Sequence, residues 1–328
     1  MIKIVKFNTA CGSSNMGDYI INESVDNELS EIFKDNFVVN YSTHSPVATW
    51  YQCSNKSGIM KYCNSAKYKF IAGTNLLSNN MIRPWPNWNV NIFNYKPYKN
   101  SVLVGCGSNG KFTKANLYTK ILYKKILSKE YIHSTRDEKT KVFIESLGLK
   151  AINTGCATLW KLTKDFCKQI PINRADNVIF TLTDYCKDEK KDQLLIDTLL
   201  KEYKNVSYWV QGSRDYDYLK SLNNTENISI VFSLKEYDEL LNAGNIDFVG
   251  TRLHAGIYAM QHKVRSIIIA IDNRTRDMKE TYNLVSIERD DIGDLDKLIN
   301  SSFETNIKID EEKIKRWKSQ FIVGEANE

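Results

Sequence analysis

Along the chain, short apolar runs rich in β-branched residues alternate with stretches in which apolar residues recur every three or four positions. The first pattern predicts buried strands, and the second predicts helices with one buried face. In the first half, strands are predicted at Ile2–Phe7, Phe37–Tyr41, Tyr68–Ala72, Ser101–Gly105, Tyr131–Ser134 and Lys150–Asn153. Between them, Tyr19–Phe33 carries Ile21, Val25, Leu29 and Ile32 on one helical face. Lys114–Leu127 and Asp137–Leu147 also read as helices, the latter stopped by Gly148. After Ile170-Pro171-Ile172 the alternation starts afresh. Strands are predicted at Asn177–Thr183, Val206–Gln211, Ile228–Phe232, Ile246–Val249 and Arg265–Ile271. The helices between them are predicted at Glu189–Tyr203, Asp215–Leu222, Leu234–Asn242 and Leu253–Gln261.

Alternation of this kind implies mainly parallel sheets wrapped by helices. Two such runs in tandem predict an α/β protein of two Rossmann-like domains with a central cleft. The first domain is drawn at 1–165 and the second at 172–302. A last segment, 303–328, holds a helix near Glu311–Phe321, with the first domain as a candidate surface for it to pack on. Segment 81–99 breaks the pattern, being crowded with Trp85, Pro86, Trp88, Phe93, Tyr95, Pro97 and Tyr98. It reads as an irregular excursion whose aromatic faces suit sugar stacking, a membrane interface, or simple packing on its own domain.

Composition narrows the class. With 328 residues, 42% hydrophobic and 26% charged, the chain is that of a globular protein. No apolar run approaches the roughly 20 residues that span a bilayer. Met1–Phe7 reads as a strand and lacks the apolar core of a signal peptide, so a cytoplasmic location is expected. The seven cysteines are odd in number and form no CxxC pair, which argues against a disulfide framework or a zinc ribbon. Buried free thiols are expected instead.

Charge adds a sharper feature. From Asn36 to Lys129 there is no Asp or Glu, yet 13 Lys and Arg fall there. Residues 1–160 carry 20 basic and 10 acidic side chains, and the remainder 25 and 29. So cationic a first half suits phosphorylated ligands or an anionic membrane surface. Nucleic acid is disfavoured, because the second half is acidic and no nucleic-acid motif appears.

Three segments carry candidate chemistry, each where a strand meets a helix and free N–H groups point at anions. Cys11–Asp18 joins the first strand to the first helix. There Gly12 and Gly17 admit close approach, Ser14 and Asn15 offer polar contacts, and Asp18 is a natural N-cap or a base near a substrate hydroxyl. Ser134–Lys139 places Arg136 to grip a carboxylate or phosphate. Ile246–Gly256 ends a strand in Gly250-Thr251-Arg252 and puts Leu253 and His254 in the first turn of the next helix. Arg136, Arg252 and Arg274 are expected to meet around one anion. His44 and His133 are weaker alternatives to His254 as proton carrier, and His262 reads as structural. No metal cluster is visible in the spacing, and no cofactor is expected.

These residues resemble the polysaccharide pyruvyl transferase family. Asn15-Met16-Gly17-Asp18, Arg136-Asp137 and Gly250-Thr251-Arg252-Leu253-His254-Ala255 match in order, with Gly73-Thr74-Asn75-Leu76 and Gly105–Gly107 fitting more loosely, over about residues 1–290. The resemblance implies two Rossmann-like domains in a GT-B-like arrangement, the first binding acceptor and the second donor. It implies transfer of a pyruvyl group from phosphoenolpyruvate to two hydroxyls of a sugar in a surface polysaccharide, capsule or exopolysaccharide, or its lipid-linked precursor. Arg136, Arg252, Leu253 and Arg274 would then bind the donor, and His254 and Asp18 would act on protons. Ser14, Asn15, Gly17 and Asn75 would line the acceptor and anion loops, with Trp85 and Trp88 stacking on the acceptor. Arg274 stands where the family carries a lysine, and an arginine stays protonated. The expected acceptor is a lipid-diphosphate-linked oligosaccharide, reached by peripheral contact with the inner face of the membrane. A GT-B glycosyltransferase using a nucleotide sugar, and a non-catalytic binder of anionic glycans, are the competing readings.

Overall fold

A computed structural model describes residues 1–82, 88–108 and 114–321. The chain divides into two compact units. The first is residues 1–13, 21–160 and 310 onward; the second is residues 14–20 and 161–309.

The first unit runs β1 (Lys3–Asn8), α1 (Met16–Glu28, its opening turn counted with the second unit), α2 (Ser30–Phe33), β2 (Phe37–Ser42), α3 (Gly58–Ser65), β3 (Tyr68–Ala72), β4 (Val102–Val104), α4 (Leu117–Ile126), β5 (His133–Thr135), α5 (Glu138–Ser146) and β6 (Ala151–Asn153). Four strands form a parallel sheet in the order β2-β1-β3-β4, and β5 pairs with β6 in parallel. At the seam between β4 and β5, side chains stand in for ladder bonds. The Leu103 amide donates to His133 Nδ1 at 3.2 Å, and the Gly105 amide donates to Ser134 Oγ at 2.7 Å. The sheet's apolar face closes on Trp88, Tyr98, Leu122, Tyr123 and Ile126.

The second unit follows with α6 (Lys164–Cys167), β7 (Asn177–Thr181), α7 (Glu189–Glu202), β8 (Asn205–Trp209), α8 (Asp215–Lys220), β9 (Ser229–Val231), α9 (Leu234–Ala243), β10 (Ile246–Gly250), α10 (Leu253–Gln261), β11 (Ser266–Ala270), α11 (Asn273–Tyr282), β12 (Ser286–Glu288) and α12 (Leu295–Asn300). Its six parallel strands lie in the order β12-β11-β10-β7-β8-β9. That is the order of a doubly wound dinucleotide fold, and it reverses between β7 and β10. Finally α13 (Glu311–Ser319) returns to the first unit. Its Trp317 is buried, donates its indole N–H to the Ile132 carbonyl at 2.7 Å, and packs on Phe70, Trp160 and Phe321.

Helices α5, α7, α9 and α11 start on Asp137, Asp188, Ser233 and Asp272, whose side chains accept first-turn amides. The prediction for α1 is corrected: it begins at Met16, and Asn15 Oδ1 accepts the Gly17 amide at 2.9 Å, so Asp18 lies inside the first turn and is not the cap. Five elements, α3, α6, α11, β12 and α12, escaped the periodicity altogether. Helix α11 buries a single apolar residue, Met278, and β12 is three residues long. All seven cysteines are free thiols, five of them buried; Cys11 is exposed and Cys186 half-buried, contrary to the expectation that all would be buried.

Candidate active site

The reversal of strand order leaves room beyond the carboxyl ends of β7 and β10, where ligands of doubly wound sheets bind. Thr181 and Gly250 are register partners at those ends. The Thr251 amide then donates to the Thr181 carbonyl at 3.0 Å, and the Arg252 amide donates to Thr181 Oγ1 at 3.2 Å. These bonds swing the chain out of the strand, and α10 starts at once. Arg252 stands at the cap position and supplies no side-chain bond to the first turn. The positive end of α10 thus lies at the switch point with no cap bond from the Arg252 side chain, a setting suited to an anion.

The Arg252 side chain turns inward instead. Its Nε donates to the Leu182 carbonyl and to Asp215 Oδ2, each at 3.1 Å, and Nη2 donates to Asp215 Oδ1 and, at 3.0 Å, to Asp184. Asp215 is itself fully buried and also accepts the Gly212 and Asp184 amides. The Arg252 guanidinium lies 5.0 Å from the centroid of the Tyr185 ring, and Arg274 Nη2 donates to the Tyr185 hydroxyl at 3.2 Å. Arg274 in turn pairs with Asp272. Burial pushes the Asp272 carboxyl up, but Arg274 and the Thr275 amide outweigh it and hold the group below its ordinary value. Arg214 adds a pair with Asp184 at 3.0 Å. Two of the predicted arginines therefore do meet, about one tyrosine, but their forks are already taken by carboxylates. Nη1 of each takes part in none of these bonds.

His254 follows on the first turn of α10, half-buried. The Asn15–Asp18 motif comes to it through Gln211, just beyond β8. The Met16 amide donates to the Gln211 carbonyl at 2.9 Å, and Gln211 Nε2 donates to Asn15 Oδ1 at 2.8 Å. Ser14 is exposed, and its carbonyl accepts the Ser213 amide at 3.2 Å. Gly17 is buried, and a Cβ there would stand 3.0 Å from Gln211 Nε2, 3.1 Å from Asn15 Oδ1 and 3.6 Å from His254 Nδ1. A methyl there would be tight against Gln211 and Asn15 and in ordinary contact with the imidazole. Gln211 Oε1 is buried with no hydrogen-bond partner among the described residues. Gln211, Asp184, Tyr185 and Asp215 were not singled out from sequence; they are ordinary polar residues there, and only the strand order puts them at this place.

In the first unit, Arg136 follows β5 with its guanidinium against the Gly107 backbone, where a Cβ would come within 2.8 Å of it. Gly107 donates to the Thr74 carbonyl at 2.9 Å and accepts the Leu77 amide at 3.1 Å. The half-buried Asn75 turn and Arg136 are thus neighbours beyond the end of β3. Leu253 is buried and packs rather than presenting itself to a ligand. Trp88 requires a correction: it is fully buried, stacked on Tyr123 and edge-on to Tyr98, so it has no face for an acceptor sugar. Trp85 lies outside the described residues. The other histidines are engaged, His44 with the Thr9 carbonyl, His133 inside the first unit, and His262 with Asp238 and the Tyr258 carbonyl. Among the described residues no three His, Cys, Asp or Glu side chains are grouped to hold a metal, and no helix is long and apolar enough to cross a membrane.

Known structures share this architecture. UDP-GlcNAc 2-epimerase of Methanocaldococcus jannaschii, solved with UDP-GlcNAc and UDP, is similar over 96% of this chain and 97% of its own, with a TM-score of 0.52 at 10% identity. MnaA of S. aureus, solved with UDP, is similar over 96% and 95%, with a TM-score of 0.51 at 9% identity. The class is therefore that of α/β proteins with two Rossmann-like units, a fold shared with UDP-GlcNAc 2-epimerase. No curated protein matches the sequence. The model of the polysaccharide pyruvyl transferase family matches residues 15–273, and the chain belongs to that family, which makes it a transferase.

Proposed function

We propose that the protein transfers the pyruvyl group of phosphoenolpyruvate to two hydroxyls of one sugar, forming a ketal on a polysaccharide or its lipid-linked precursor. The observation that carries this reading is the meeting of His254, on the first turn of α10, with the Gly17 backbone of the Asn15–Asp18 motif. A helix N-terminus suits the donor's anionic groups, and an imidazole suits the proton transfers that ketal formation requires.

In the proposed sequence, the donor's phosphate or carboxylate binds at the first-turn amides of α10, with Nη1 of Arg252 and Arg274 as added donors. A proton goes to the methylene carbon of the enol, and the neighbouring carbon becomes electrophilic while its carboxylate is held. One sugar hydroxyl forms a C–O bond there and gives up its proton. Phosphate then leaves with the electrons of its C–O bond, and the second hydroxyl closes the ketal, losing its own proton. The products are the ketal, whose former methylene is now a methyl, and inorganic phosphate. His254 is the proton carrier, Asp18 orients or deprotonates the acceptor, and Arg136 takes an anionic group in the first unit. Asn15 and Gln211 fix the loop that approaches the imidazole.

The test is turnover in heavy water with phosphoenolpyruvate and a panel of free and lipid-diphosphate-linked sugars, read as phosphate release and as a ketal methyl in the NMR spectrum. One deuterium in that methyl is expected. His254→Ala is expected to lose turnover by a factor on the order of 10³ with its fold retained. Near-normal turnover in that variant would remove His254 from the mechanism, and phosphate release without a ketal would remove the reaction.

A further inference from the structure

We infer that the first unit docks on anionic phospholipid bilayers through the surface that Trp50, Tyr51, Ile92, Phe93, Leu117 and Ile121 expose beside a rim of lysines. Trp50 and Leu117 are each 74% exposed and Phe93 is 71% exposed, although the unit has a well-filled core in which comparable side chains are buried. They are not scattered. Trp50 and Phe93 line one apolar groove with Thr49, Asn91 and Asn94. The Ile92 amide donates to the Tyr118 hydroxyl at 3.3 Å, which sets this turn beside the opening of α4. Along α4 itself, Leu117 and Ile121 are exposed one turn apart, with Lys124 and Lys125 exposed one turn further on.

The lysines gather on the same side. Lys99 and Lys125 both sit over the Tyr95 ring, at 5.6 and 5.1 Å, and Lys96 Nζ donates to the Cys53 carbonyl at 3.0 Å, close to Trp50. The segment that supplies them, residues 36–129, contains neither Asp nor Glu. A surface for neutral sugar has no need of that exclusion, and exposed isoleucine and leucine offer no ring to stack on a sugar. Aromatic and aliphatic side chains at one level, ringed by lysines whose stems can lie along apolar surface, match the boundary between headgroups and acyl chains. Charge complementarity therefore selects an anionic bilayer.

The inference is independent of the reaction and is tested by co-sedimentation of the full chain with phosphatidylglycerol or phosphatidylcholine vesicles. Binding to phosphatidylglycerol at low salt is expected, weakening as salt rises, with none to phosphatidylcholine. The triple variant Trp50→Ser, Phe93→Ser, Leu117→Ser should bind at least about tenfold more weakly, and Lys99→Ala and Lys124→Ala about fivefold more weakly each. All these side chains are exposed or half-buried, so melting temperatures should be unchanged. No phosphatidylglycerol binding at low salt, or undiminished binding by the triple variant, would overturn the inference. Loss of soluble oligosaccharide binding by the triple variant with vesicle binding intact would also overturn it, making the surface a glycan platform.

Discussion

Among single residues, Arg252 and Arg265, both buried in the second unit, show how position decides meaning. Arg265 bonds to Asp247 at 2.8 Å and to the Leu298, Ile299 and Ser301 carbonyls, beside the start of β10 and far from any strand end where ligands bind. Arg252 makes a similar inward set of bonds at the other end of the same strand. Its removal strands the fully buried Asp215, so Arg252→Ala should cost about 3–5 kcal/mol of stability, measured by denaturant titration. Activity lost in that variant would report folding as much as donor affinity. Arg274→Ala is the cleaner probe, because its pair with Asp272 is partly exposed and should contribute less than about 1 kcal/mol. Calorimetry should show weakened donor binding there with an unchanged melting temperature; unchanged affinity would remove Arg274 from the anion site. Gly17→Ala forces a methyl towards Gln211 and Asn15 and into contact with His254, and turnover should fall by on the order of a hundredfold. Turnover equal to that of the parent would mean that the approach of this loop to the imidazole is incidental.

Elements show what the sequence could and could not convey. Strands β1, β3 and β10 and helices α4, α5 and α10 were legible because each carries its apolar residues at a regular period. The Arg252-Leu253-His254 turn was legible for the same reason, since it lies between a clear strand and a clear helix. Strand order was not legible, and with it went Gln211, Tyr185 and Asp215, whose neighbours at the site lie tens to hundreds of positions away. Trp88 misled because its aromatic, proline-rich surroundings resemble a binding loop, while its own ring fills the core.

The seam of β4 and β5 supports a pH prediction at the same scale. His133 Nδ1 accepts the Leu103 amide, so Nε2 carries the proton and donates to the Ser128 carbonyl at 2.9 Å. Burial holds its pKa down to about 4, against an ordinary value near 6.5. In that interval the unfolded chain binds the proton and the folded chain does not. Stability is therefore complete above pH 6.5 and falls as pH drops towards 4, by about 3 kcal/mol in all. His133→Gln, which can keep one donor and one acceptor, should flatten that part of the profile. An equally steep loss in the variant would assign it to other groups.

At the level of the whole molecule, residues far apart in sequence complete each unit. The chain's last helix belongs to the first unit, where Trp317 and Phe321 join Tyr68, Phe70 and Tyr131. Trp317→Ala should cost about 3–5 kcal/mol, and a melting temperature within a degree or two of the parent would contradict this packing account. The second unit likewise needs the Ser14–Ile20 segment, which brings the Asn15–Asp18 motif beside His254. In the proposed function this assembly receives phosphoenolpyruvate. A thermal-shift panel of phosphoenolpyruvate against nucleotide sugars tests it most directly. A concentration-dependent rise in melting temperature is expected with phosphoenolpyruvate, reduced in Arg274→Ala, and none with UDP-sugars. Stabilisation by a UDP-sugar with phosphoenolpyruvate silent would contradict it.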